Sequence, residues 1–380
     1  MKLKFKIYFF FQYFPFGIFG PYLAVYLNQR NFTGAQIGLL LGVMPISMLL
    51  FQMVWSYLSD ILNTRRTLLL IGSFSAAIAA YGLGKAETFS FALMWAILFS
   101  AMRAPIAPIS NAIVLDYLED LDEMDAYSLF RLWGSAAFAV SSALMGALFL
   151  NRILDYFSWF LMGVYLILTV LGFLLPERGK EFSYKGFEGL QMLTQNPNFV
   201  LYLFGSMFVG ATLGIYNSYQ TLFLQLLDAS SWLIGFTVSL QALVEVPMMM
   251  AVPFLLNRFS TRGLILVGAI ALPIRWLLYT VIQQPGWVIP TQIFHGLGVV
   301  SFLVVGVAFI DRLISPKWRA TGQGLYLSAM LGIGSGVGTY LAGLILEGRG
   351  VRSIWYLSLG LGLVGLGLVL ITFKRIGRDV

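Results

Sequence analysis

The 380-residue sequence contains no cysteine and a single histidine. The first absence excludes a disulfide framework and a thiolate metal site, and the second excludes a histidine-based metal cluster. Charge is scarce as well. Only 11% of the residues are charged, against roughly 25% in a soluble domain. The complement is a hydrophobic content of 59%, more apolar surface than a soluble core of this size can hide. Lipid can accept it. Period-two alternation is also missing, so the short alternating segments of a membrane barrel are excluded. The apolar runs are long and recur along the whole chain, and about 20 such residues make one spanning helix. The sequence therefore describes an all-α membrane protein, with no enzymatic chemistry, cofactor or metal implied.

Twelve spans are expected, at about 8–28, 35–58, 67–86, 90–117, 128–150 and 157–175, then 198–223, 231–256, 263–283, 287–310, 319–346 and 352–373. The N-terminal run from Tyr8 is aromatic and long and reads as a retained first helix rather than a cleaved signal. The connectors are short except one, so three regions are expected: a six-helix bundle over 1–178, a central linker over 179–197 and a second bundle over 198–380. The net charge of +7 assigns direction rather than a nucleic-acid partner. With both termini cytoplasmic, 17 of the 24 basic residues fall on the cytoplasmic side and five on the outer side. Arg103 and Arg275 lie inside spans. That bias obeys the positive-inside rule and fits a multi-pass protein of a bacterial inner membrane.

The halves repeat. A shift of 197 residues lays Ile37–Gly38 on Ile234–Gly235, Leu58 on Leu255, Gly146 on Gly343 and Arg65 on Arg262. Parallel repeats of this kind mark one major transporter architecture.

Motifs then connect the chain to a family. Residues 56–66, SYLSDILNTRR, resemble the loop between the second and third helices of the major facilitator superfamily, with Ile61 and Asn63 in place of its usual basic residue and glycine. Three further segments resemble the proton-symporter branch that includes lactose permease and the phenylpropionate and nucleoside permeases. They are RLWGSAAF (131–138), QIFHG (292–296) and RATGQGLY (319–326). The resemblance implies two pseudo-symmetric six-helix bundles working by alternating access around a midplane site. It implies gating roles for Asp60, Arg65 and Asp116. It also implies that Arg131 contacts substrate, that Asn111 and Phe138 stand at substrate-binding positions, and that His295, Arg275 and Glu245 match the coupling set. Where lactose permease has a coupling carboxylate one turn after its histidine, this chain has Gly298.

The buried polar residues carry an argument of their own. A charged side chain at the bilayer centre costs roughly 2.5–3.5 kcal/mol on insertion scales, so it survives when paired or facing a water-filled cavity. Glu245 and Arg275 fall near the middle of their spans, with His295 nearer the outer end of its own. Proton coupling by an Arg275–Glu245 pair, with His295 as relay, is the functional reading; a static ion pair fixing helix packing is the alternative. Arg103 has no acidic residue at its depth in the first half. It either attracts a substrate carboxylate or pairs structurally with carbonyls or with Glu245. Asp116 can bridge Arg131, which competes with substrate contact by that arginine. Asn217, Gln220 and Gln241 are amides inside spans and need partners; they complete the candidate substrate set.

The expected function is secondary active uptake of a small organic solute: a sugar, a nucleoside, or an aromatic or other organic acid. Protons or sodium would drive it, in a monomer embedded in the bilayer. An exporter is the alternative, but helix five has no proline between Gly134 and Gly146, unlike the superfamily's exporters. A non-transporting receptor or assembly factor on the same scaffold is a third reading.

Overall fold

A computed structural model describes residues 1–62, 64–122, 127–177, 196–315 and 318–376, with backbone only at 60, 128, 149, 153–155 and 320. Among the described residues every regular element is helical. Twelve rods follow one another: α1 (Lys2–Gln29), α2 (Gly34–Leu62), α3 (Arg65–Lys85), α4 (Phe89–Glu119), α5 (Tyr127–Leu144), α6 (Ile153–Gly172), α7 (Pro197–Leu226), α8 (Ser231–Arg258), α9 (Thr261–Val281), α10 (Pro285–Leu313), α11 (319–349) and α12 (Ile354–Ile376).

Among the described residues, ten of these are long and apolar enough to cross a membrane. The other two are α1 and α6. In α1 the lysines, tyrosines, Gln12, Pro15 and Pro21 dilute the hydropathy. In α6 the apolar stretch is Tyr156–Gly172 among the residues whose side chains are described. One boundary departs from expectation: the apolar run around 287 is not yet α-helix. Pro285–Val288 is a 3₁₀ turn, and the α-helical part of α10 begins at Gln292. Pro290 has no N–H to give to a helical ladder, so the run stays a turn.

Packing divides the chain into two units. One comprises Met1–Phe32, Val43–Tyr184 and Ser231–Ser239; the other comprises Thr33–Gly42, Lys185–Ser230 and Leu240–Val380. In the first unit α1 packs on α5 and α6, while α3 packs on α4 and α6. In the second, α7 packs on α11 and α12, while α9 packs on α10 and α12. Adding six to each helix number in the first set gives the second set. The weak sequence repeat is thus a repeat of packing.

The first turns of α2 and α8, themselves repeat mates, each pack with the opposite half of the sequence. Gly38 of α2 lies against Gly343 of α11, and Gly235 of α8 lies against Gly146 of α5. A Cβ at any of these four would collide with backbone, so only glycine lets the helices approach this closely. At the same end of α2, the Glu347 carboxylate accepts from the Ala35 N–H (2.8 Å) and the Thr33 hydroxyl (3.2 Å). A negative charge there satisfies open donors at a helix N-terminus.

Candidate functional site

The second unit holds a polar chain in an otherwise apolar interior. Arg275 on α9 is fully buried. Its Nη1 donates to Nδ1 of His295 on α10 (2.8 Å), and its Nη2 donates to Oε1 of Gln292 (3.0 Å). His295 Nε2 meets Glu245 Oε1 on α8 at 2.9 Å. Glu245 alone keeps an opening, with 26% of its side chain exposed against 3% for His295.

The proton positions follow from the donors. A guanidinium has no acceptor, so Nδ1 must offer its lone pair to Arg275. The imidazole proton is then on Nε2 and is donated to Glu245. The cation and the carboxylate are joined through a neutral imidazole rather than directly.

Aromatic side chains complete the surroundings. The Arg275 guanidinium lies 3.8 Å above the Tyr216 ring, with Trp276 and Tyr279 at 5.0 and 5.4 Å. Ring faces attract a desolvated cation. The Tyr216 hydroxyl donates to the same Gln292 oxygen (3.0 Å) that Arg275 uses. Two glycines shape α10 here. A side chain at Gly296 would strike Val244 and Met248 of α8, so this glycine lets α10 close on the helix that carries Glu245. The slot beside Gly298 is filled by Leu272, which leaves no room for a carboxylate one turn after His295.

One turn from Glu245 on α8, Gln241 donates to Gln220 of α7 (2.9 Å). Gln220 lies one turn beyond Tyr216, so both amides flank the chain. Asn217 is exposed and stands apart from them.

The first unit holds a different arrangement. Pro105 breaks α4 between Phe89–Arg103 and Ile106–Glu119. It removes the bond that the Ala101 carbonyl would accept, and the Trp55 indole donates to that carbonyl instead (2.8 Å). Arg103 stands at the break. It touches the Met48 sulfur at 3.4 Å and lies 5.0–5.3 Å from the rings of Phe16, Phe19 and Phe99. Its Nε and Nη1 are buried without an acceptor among the described residues. A small cavity borders it, lined by Gln12, Phe16, Met48, Ile106, Ala107 and Tyr165. Gln12 accepts from the Ser110 hydroxyl (2.6 Å), but its buried amide nitrogen finds no acceptor among the described residues.

A family model described as the MFS_1 like family matches residues 2–357. The chain belongs to that family. It is a multi-pass membrane transporter of small solutes and not an enzyme. Among its relatives, the maltose permease of Geobacillus stearothermophilus is 26% identical over 98% of this chain and 95% of its own. The xanthosine permease of Escherichia coli is 24% identical over 96% and 93%. A crystal structure of nucleoside transporter NupG superposes with a TM-score of 0.88 at 21% identity, covering 98% of this chain and 99% of that one. At that identity the likeness is one of fold.

Within this MFS_1-like fold the residues singled out from sequence fall into three groups. Glu245, His295 and Arg275 come together, with Gln220 and Gln241 beside them. Arg65, 5% exposed, pairs with Asp116 at 2.5 Å, joining the start of α3 to the end of α4. Arg103 borders the cavity of the first unit. Of the others there, Arg131 is exposed and stacks over Tyr13 at 4.3 Å. The Phe138 carbonyl accepts from Ser141 and Ser142, and the Asn111 oxygen is buried with no donor among the described residues. The Asp60 side chain and the linker residues 179–195 lie outside the described residues. Gln292, Tyr279 and Gln12 were not singled out as site residues. Gln292 is three residues before His295 and Tyr279 is four after Arg275, so helical spacing alone could have found both.

Proposed function

We propose that this transporter is a proton-coupled symporter that takes up a small organic solute by alternating access. The observation that carries the reading is the chain Arg275–His295–Glu245. Glu245 is its only partly open member, so a proton from a water-filled path arrives there. Once Glu245 is neutral, Arg275 is a fully buried cation with no carboxylate at the far end of its chain. Such a charge is costly unless the surroundings change. Proton binding therefore biases the helices that carry the three residues, α8, α9 and α10, towards another arrangement. Solute occupancy that biases the same arrangement is thereby coupled to the proton.

Protons are favoured over sodium because the chain contains one carboxylate and donor groups, where a hard cation needs several oxygen ligands. Uptake is favoured over export because helix five has no proline from Gly134 to Gly146. The basic-residue bias supports cytoplasmic termini and a bacterial inner membrane. The chain divides for this purpose into bundles over 1–178 and 198–380, acting as a monomer. The relatives named for maltose and xanthosine support a sugar or nucleoside as readily as an organic acid.

The test is purified protein in liposomes with internal pH recorded, offered sugars, nucleosides and organic acids in turn. Internal acidification on adding one solute is expected. Alkalinisation under an opposed proton gradient would make it an exporter. Solute movement that follows sodium and leaves pH unchanged would overturn proton coupling.

A further inference from the structure

The Arg103 cavity contains donors with nothing to receive them. Arg103 offers Nε–H and Nη1–H, Gln12 offers its amide N–H₂, and none of these atoms has an acceptor among the described residues. Gln12 is 2% exposed and lines the same cavity as Arg103. Buried polar groups in proteins are nearly always satisfied, so a set of unmet donors is an exception that asks for its partner.

Three candidates for a partner within the chain fail. No carboxylate among the described residues pairs with Arg103. The carbonyl freed by Pro105 is already occupied by Trp55. The Gln12 oxygen, which could have accepted from Arg103, is engaged by Ser110. What remains around the cation is three aromatic rings, a thioether and the uncharged hydroxyl of Tyr165, which shares the cavity and interacts with the guanidinium. Those contacts suit a guanidinium sterically but carry no negative charge to offset it.

We propose that the missing partner is the transported solute, and that it carries a single carboxylate bound by Arg103 and Gln12. The inference rests on the transport reading above and narrows its substrate class. One arginine matches one negative charge, which a carboxylate supplies and a phosphate dianion exceeds. Planar guanidinium and charged hydrogen bonding suit carboxylate recognition. Of the remaining cavity wall, Phe16, Met48, Ile106 and Ala107 are apolar and face the carbon body adjoining the carboxylate, while Tyr165 sets its hydroxyl beside Arg103.

Thermal unfolding of the purified full-length protein in detergent tests this without requiring transport. The probes are benzoate, 3-phenylpropionate and glucuronate, each beside its uncharged mate: benzamide, 3-phenylpropanamide and glucose. Sodium chloride at matched concentration is the inorganic control. At least one carboxylate should raise Tm while its mate and chloride do not. That shift should vanish in Arg103→Gln, fall in Gln12→Leu and persist in part in Arg103→Lys. Without ligand, Arg103→Gln should melt at or above the wild-type temperature, since it removes an uncompensated cation.

An equal shift from the neutral mates, from chloride, or in Arg103→Gln would overturn the proposal. So would no shift from any of the three acids, or a lower melting temperature for unliganded Arg103→Gln, which would mark a structural cation. Carboxylate binding that Arg103→Gln abolishes, without movement of that acid across liposomes, would overturn its identity as the transported solute. Uptake of a solute that is unchanged in Arg103→Gln would overturn the proposal and leave the transport reading standing.

Discussion

Arg275 and Arg103 are each an arginine inside a membrane span, and their surroundings answer the charge in opposite ways. Arg275 has a histidine, a glutamine and, through the histidine, a carboxylate; of its three nitrogens only Nε has no acceptor among the described residues. Arg103 has a thioether, three rings and the Tyr165 hydroxyl, with two nitrogens unmet among the described residues. The repeat that gave both units the same helix packing did not give them the same chemistry. On the proposed reading, a pseudo-symmetric scaffold separates two tasks: an internally balanced charge chain that gains and loses a proton, and an unbalanced donor set that takes an external acceptor.

The largest effects should come from making one substitution at both arginines. Arg275→Gln breaks a buried, hydrogen-bonded charge chain, which costs about 3–5 kcal/mol where such pairs are fully desolvated. The partial opening of Glu245 places the expected loss at the lower end, near 3 kcal/mol, with uptake abolished. Arg103→Gln should abolish uptake with no loss of stability. Melting curves and liposome uptake of the two variants, measured side by side, check this. Equal destabilisation would erase the contrast.

Next in size is Arg65→Gln. It removes a nearly buried ion pair with Asp116, worth about 1.5–3 kcal/mol as a charged hydrogen bond, and should lower Tm while leaving ligand shifts intact. Trp55→Phe deprives the Ala101 carbonyl of its replacement donor at the Pro105 break, for a cost of about 1 kcal/mol by the same melting assay. Its ligand response should weaken, because the break positions Arg103. Smallest is Tyr216→Phe. The ring under Arg275 stays and one hydrogen bond to Gln292 goes, so about 1 kcal/mol or less is lost, and uptake should stay within a few-fold of wild type.

Much of this was legible in the residues. Long apolar runs marked the helices because lipid requires whole spans of such residues. Glu245, Arg275 and His295 stood out because charge inside a span is rare. What could not be read was how they connect. A direct Arg275–Glu245 pair was expected, and an imidazole stands between them, since sequence spacing gives the face of one helix but not its depth against the next. The same limit applies to the glycines. The repeat matched Gly38 with Gly235 and Gly146 with Gly343, yet the contacts are Gly38 with Gly343 and Gly146 with Gly235. Asn217 shows the opposite failure: an amide inside a span was expected to need a partner, and it is exposed. Gln12 was passed over because a single amide in an aromatic helix carries no pattern.

The central claim is that proton binding at Glu245 is coupled to solute movement. Glu245→Gln keeps the hydrogen bond from His295 and removes the titration. In liposomes, this variant should exchange solute across the membrane at near wild-type rates while failing to accumulate it against an imposed proton gradient. Accumulation at wild-type levels would contradict the account.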